Sequence, residues 1–150
     1  MKSFQKRFLA LVLAISCTVC LAGCGAADPK PLNEKVVQML GHFIAHDIDG
    51  AYAMFYPDVT DRNTFTATMK SSYAYFPITE GYSYKLLNFE STKSITGNAV
   101  TIYQGQYKIE FDGRVFYGKA VWRSDTGGSG FTNFQIVSEE DRIAAQKKET

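Results

Sequence analysis

His42 and His46, with Asp47 and Asp49 just beyond them, are the side chains of this chain whose types and spacing could support chemistry. Residues four apart share one face of a helix, so two imidazoles and a carboxylate could meet on a single metal ion. Two features count against that reading. Lys35 falls on the same stripe, where its cation would oppose a bound cation, and no His-Glu-x-x-His pattern is present. A solvated flank with Asp49 as a helix N-cap is the expected role, and no metal ligand is assigned. The remaining acids are no better placed for proton transfer. Glu110 lies on the polar face of a strand, Asp112 and Asp125 lie in turns, and Asp58 and Asp61 lie in loops or at helix ends. There is no Ser-His-Asp order, phosphate-cradling glycine loop or Gly-x-Ser-x-Gly elbow. The expectation is a protein without catalytic residues or a cofactor.

Aromatic side chains are a different resource. The chain holds 9 Tyr and 11 Phe, and rings with polar tips can line a ligand cavity, although they also suit strands through packing alone. If a cavity exists, Phe43, Tyr103, Tyr107, Trp122 and Phe134 are its expected lining, with Trp122 largely buried.

All three cysteines, Cys17, Cys20 and Cys24, lie near the N-terminus, so the rest of the chain has no disulfide, thiolate nucleophile or zinc–thiolate site. Lys2, Lys6 and Arg7 form a basic start, Phe8 to Leu21 an uncharged apolar run, and Ala22 and Gly23 are small. That order is the layout of an export signal. Leu21-Ala22-Gly23-Cys24 resembles the lipobox of bacterial lipoproteins. The resemblance implies a diacylglyceryl group on the Cys24 sulfur, cleavage after Gly23, and anchoring of the mature chain to a membrane of the cell envelope. With Gly25 and not Asp after the cysteine, it implies the outer membrane if the host has two. A transmembrane anchor or a secretory signal cut after Ala22 or Gly23 are the competing readings, and the run is short for a span of about 20 residues. The whole chain has 16 Lys+Arg against 15 Asp+Glu. Loss of Lys2, Lys6 and Arg7 would leave a slight acidic excess, so no nucleic-acid partner is expected.

The organisation expected is a signal at 1–23, a lipidated tether at 24–31, one folded domain at 32–138 and a helical tail at 139–150. Val36, Val37, Leu40, Phe43 and Ile44 recur at helical spacing and predict a helix from Asn33 to His46. A short helix from Gly50 to Phe55 follows, then a third from Asn63 to Tyr73, where Phe65, Met69 and Tyr73 repeat every four residues and Thr60 or Asp61 can cap. After Pro77 the pattern becomes β. Four strands are expected at Tyr82 to Ser91, Ala99 to Phe111, Arg114 to Ser124 and Gly130 to Ser138, with Asp112-Gly113 as a tight hairpin turn. Tyr103, Tyr107, Ile109 and Phe111 alternate with Gln104, Gln106, Lys108 and Glu110, so one face packs and the other meets solvent. In the tail, Ser138 and Asp141 approach a capping box, and Ile143 is the one large apolar residue.

Helices followed by an antiparallel meander predict an α+β fold, with the N-terminal helices packed on a curved four-stranded sheet. From Leu32 to Ser138 the chain resembles nuclear-transport-factor-2-like domains, the cystatin-like roll. The helix leading into His46-Asp47-Ile48-Asp49-Gly50-Ala51-Tyr52 and the closing Val121-Trp122-Arg123, Gly127-Gly128 and Phe134-Gln135-Ile136 carry the likeness. It implies a cone-shaped sheet that partly encloses a pocket, and it implies no particular reaction. An envelope lipoprotein that binds a small molecule, a peptide or another envelope protein is the leading expectation. A structural module forming homodimers through its sheet is the alternative, and a small isomerase or hydratase comes last.

Overall fold

In the computed structural model, which describes residues 27–94, 97 and 99–148, the first helix, α1 (Lys30–Ile44), begins earlier than the apolar spacing indicates. Pro31 sits in its first turn, where a missing N–H costs nothing because those donors have no partner inside the helix. Lys30 and Pro31 are therefore helical and not part of a tether. The expected signal at 1–23 and Cys24 lie outside the described residues. Leu32, Val36, Met39, Leu40 and Phe43 form the buried stripe of α1.

His46 breaks the chain with φ 53°, and α2 (Ile48–Ala53) follows at once. Its cap is Asp47, which accepts from the Gly50 N–H at 2.9 Å. Asp49, expected as the cap, lies inside the first turn and pairs with Arg62. The third helix, α3 (Arg62–Tyr75), is capped by Asp61, whose carboxylate accepts from the N–H groups of Asn63 at 3.0 Å and Thr64 at 2.9 Å.

Four antiparallel strands, β1 (Ser83–Ser94), β2 (Val100–Phe111), β3 (Arg114–Asp125) and β4 (Gly128–Ser138), form one sheet in chain order. Asp112 and Gly113 have φ of 48° and 71°, the left-handed pair that a two-residue hairpin matched to strand twist requires. The inner face carries Tyr107, Ile109, Phe116, Ala120 and Phe131, all buried, and packs against the helices.

Two bulges interrupt the alternation. One inserts Leu87 between Leu86, which faces Tyr107, and Asn88, which faces Gln106. The other lies in β4, where Val121 faces Asn133 but Trp122 faces Phe131, leaving Thr132 as the extra residue. An extra residue reverses the side-chain phase on one side of it. Phe131 therefore points to the core together with Phe134, although the two are separated by an odd number of positions.

The start of β4 is tied to the segment after α2. Phe55 bridges Phe131, with Phe131 N–H donating to Met54 O at 2.8 Å and Tyr56 N–H to Phe131 O at 3.0 Å. The Tyr56 hydroxyl also donates to the Asp125 carboxylate at 2.7 Å. The last helix, α4 (Glu139–Lys148), is capped by Ser138 and folds back over the outer face of β3 and β4. There the Arg142 guanidinium lies 4.3 Å from the Tyr117 ring, and Ile143 remains exposed. No helix among the described residues is long and apolar enough to cross a membrane.

Candidate functional site

The helices and the sheet diverge where α1, α3 and β4 meet, and the gap is a cavity of about 220 Å³. α1 supplies Met39 and Phe43, α3 supplies Phe65, Thr68, Met69 and Ser72, and β4 supplies Phe134 and Ile136. Phe55, Val59, Thr60 and Phe76 complete the lining. The four-residue repeat Phe65, Met69 on α3 turns one apolar edge of that helix toward the sheet, as its buried positions show. Thr68 and Ser72 lie beside that edge. Their hydroxyls donate to the helix carbonyls of Thr64 at 2.9 Å and Thr68 at 2.8 Å, which leaves acceptor lone pairs as their polar offering.

No ionisable side chain lines the cavity. Its walls are nine apolar side chains and three hydroxyls, a composition suited to holding an uncharged apolar molecule.

Of the five residues expected to line a pocket, Phe43 and Phe134 do so, and Tyr103, Tyr107 and Trp122 do not. These three fill the other half of the inner face. Tyr107 is 1% exposed and lies along its own strand over Gly105, where an added Cβ would come within 2.7 Å of the Tyr107 ring. Its hydroxyl donates to Asn33 Oδ1 at 3.0 Å, so the buried polar tip is satisfied. Burial pushes the phenol far above the usual tyrosine range, with a smaller contribution from Tyr84. Trp122 is half-buried and not enclosed. Its ring meets Phe131 edge-on at 4.9 Å and is covered by the Lys35 ammonium at 5.3 Å. Tyr103 is half-buried and stacks on Phe89 with ring centres 6.0 Å apart.

The remaining lining residues were missed because membership depends on where α3 lies against β4. The Phe65, Met69 spacing showed a helix with an apolar edge, but it did not show what that edge faces.

The histidine pair does not form a metal centre, and the described residues contain no group of three His, Cys, Asp or Glu side chains able to hold one. His42 Nδ1 and Asp47 Oδ2 are 2.8 Å apart, whereas His46 turns away and stacks on Tyr73 with ring centres 4.0 Å apart. The Gly50 N–H and then His42 hold the Asp47 carboxyl below the usual range. A Cβ at Gly50 would fall 2.2 Å from Asp47 Oδ2 and 2.3 Å from His42 Nδ1, so a larger residue there would displace this pair. The cluster locks α1 to α2.

No family model and no curated protein matches this chain. Among solved structures it is similar to Aln2 from a Streptomyces species, with a TM-score of 0.49 and 11% identity over 79% of this chain and 98% of that one. ActVI-ORFA from Streptomyces coelicolor is a second similar structure, with a TM-score of 0.38 and 13% identity over 74% and 97%. At these values the chemistry of the site rests on its own residues. The arrangement can desolvate and hold an apolar molecule, and the cavity wall offers no carboxylate or imidazole to move a proton.

Proposed function

We propose that this protein is an envelope lipoprotein, anchored through Cys24, whose cystatin-like roll binds a small uncharged apolar molecule between α1, α3 and β4. The observation that carries the binding reading is the composition of the cavity wall, nine apolar side chains and three hydroxyls with no ionisable group. A sealed core would close such a space, since interiors pack to crystal-like density. The same composition supports a non-catalytic role, because acid–base chemistry needs a titratable group within hydrogen-bond reach of the ligand. The anchor reading rests on Leu21-Ala22-Gly23-Cys24 and the basic and apolar segments before it.

Fluorescence titration with N-phenyl-1-naphthylamine, whose emission rises in apolar surroundings, tests the cavity. Thr68 is exposed and stands at the cavity wall, so Thr68→Trp fills the opening without disturbing the core. Saturable binding that weakens at least tenfold in Thr68→Trp, with unchanged thermal unfolding, is the expected result. Equal signals from both proteins would overturn the reading and leave the roll as an assembly module.

A further inference from the structure

We propose that a second site lies on the opposite face of the sheet, where the cleft under α4 binds a small oxyanion with an apolar tail through Lys119 and Arg142. The cleft has a volume of about 320 Å³ and is lined by Leu87, Gln106, Lys119, Gln135, Val137 and Arg142, among others. Its floor follows from the strand register. Gln106 faces Lys119 across β2 and β3, and Lys119 faces Gln135 across β3 and β4, so amide, ammonium and amide form one row on the outer face. Opposed residues in such a row stand about 5 Å apart, which lets all three address one ligand head group.

The wall is Arg142. Tyr117 fixes its guanidinium by stacking at 4.3 Å, and its Nε is buried with no hydrogen-bond partner. A buried unpaired donor is costly, and a small turn of the guanidinium toward an oxyanion in the cleft would remove that cost. Charge supports the same occupant, since no carboxylate lines the cleft. Two acids of the sheet and α4 are already paired, one of them with Arg142 itself. Glu110 pairs with Lys108, and Glu139 accepts from the Tyr117 hydroxyl at 3.4 Å and stands 4.0 Å from Arg142. No carboxylate of the described residues pairs with Lys119.

The tail has its own surface. Leu87 is 48% exposed because the β1 bulge displaces it from the inward alternation, and Val137 is 39% exposed in the neighbouring row. An apolar chain of a few carbons covers both while its head reaches Lys119. The two chemistries that satisfy this geometry are a carboxylate and a phosphate monoester, each with two or more acceptor oxygens for the cations and amides.

The test is protein-observed NMR on the purified full chain with hexanoate, hexyl phosphate and hexanol as probes. Shifts at Lys119, Gln135 and α4 that are stronger for either anion than for hexanol are expected, and the tighter anion identifies the head group. Lys119 is exposed, so Lys119→Gln keeps the fold. It should weaken anion binding roughly tenfold, as loss of one charge-assisted contact does. Thr68→Trp should leave anion binding unchanged, which separates this site from the cavity on the inner face. Hexanol binding as well as the anions, shifts confined to α3 and β4, or full affinity in Lys119→Gln would each overturn the proposal.

Discussion

Tyr107 shows how one side chain decides between a filled core and an open one. Its ring occupies the space above Gly105, and its hydroxyl finds Asn33, so a residue with the composition of a ligand contact is instead a hydrogen-bonded core residue. Tyr107→Phe removes the hydroxyl and leaves Asn33 Oδ1 unpaired at that point, for a loss of about 1 kcal/mol in urea denaturation at neutral pH. The pH dependence has a definite sign. Burial raises the Tyr107 pKa in the folded state above the unfolded value of about 10. Its neutral form therefore contributes stability that is fully present below pH ~10 and is lost as the pH rises beyond that. Tyr73 and Tyr82 are also raised by burial, and Tyr56 by its hydrogen bond to Asp125, so they add to the alkaline loss. Urea midpoints recorded between pH 8 and 11 should fall for the wild type and fall less for Tyr107→Phe.

At the scale of elements, helices and strands were legible because their signals are local. The α1 stripe, the Phe65, Met69 repeat and the alternation in β2 each reflect one period read over one segment, and the Asp112-Gly113 turn declares itself by its need for two positive φ angles. The caps were less legible. Asp47 and Asp49 are equivalent by composition, and only the path of the chain after His46 brings Asp47 onto the Gly50 N–H. The bulge in β4 was not legible either, since strict alternation from Phe134 and Ile136 sends Phe131 outward, whereas Phe131 is 0% exposed. Phe131→Ala should cost about 3–5 kcal/mol. Deleting Thr132 removes the bulge while leaving Phe131 opposite Trp122 on the inner face, so it should cost far less than Phe131→Ala in thermal or urea unfolding. A Thr132 deletion as destabilising as Phe131→Ala would show that Phe131 needs the bulge to reach the core.

For the whole molecule, the inner face buries the core and one apolar cavity, while the outer face carries α4. No helix among the described residues is long and apolar enough to cross a membrane, and the proposed anchor at Cys24 lies outside them. Each buried methylene contributes about 0.8 kcal/mol and a single acyl chain binds only marginally, so two or three chains on Cys24 would hold the protein firmly. Mass spectrometry of the mature N-terminus should find a lipid-modified Cys24, and Cys24→Ala should block both modification and processing. A free, unmodified terminus at any other residue contradicts the anchor.

What the linear chain settled on its own was the order of elements, the antiparallel meander and the face of β2 that packs, because periodicity and turn chemistry act between near neighbours. The tertiary structure alone decided which aromatic residues fill the core and which line the cavity. That choice depends on the seating of α3 against β4, on a bulge that reverses side-chain phase, and on the return of α4 over the outer face. Each is a contact between residues far apart in sequence, and no local pattern encodes the register in which they meet.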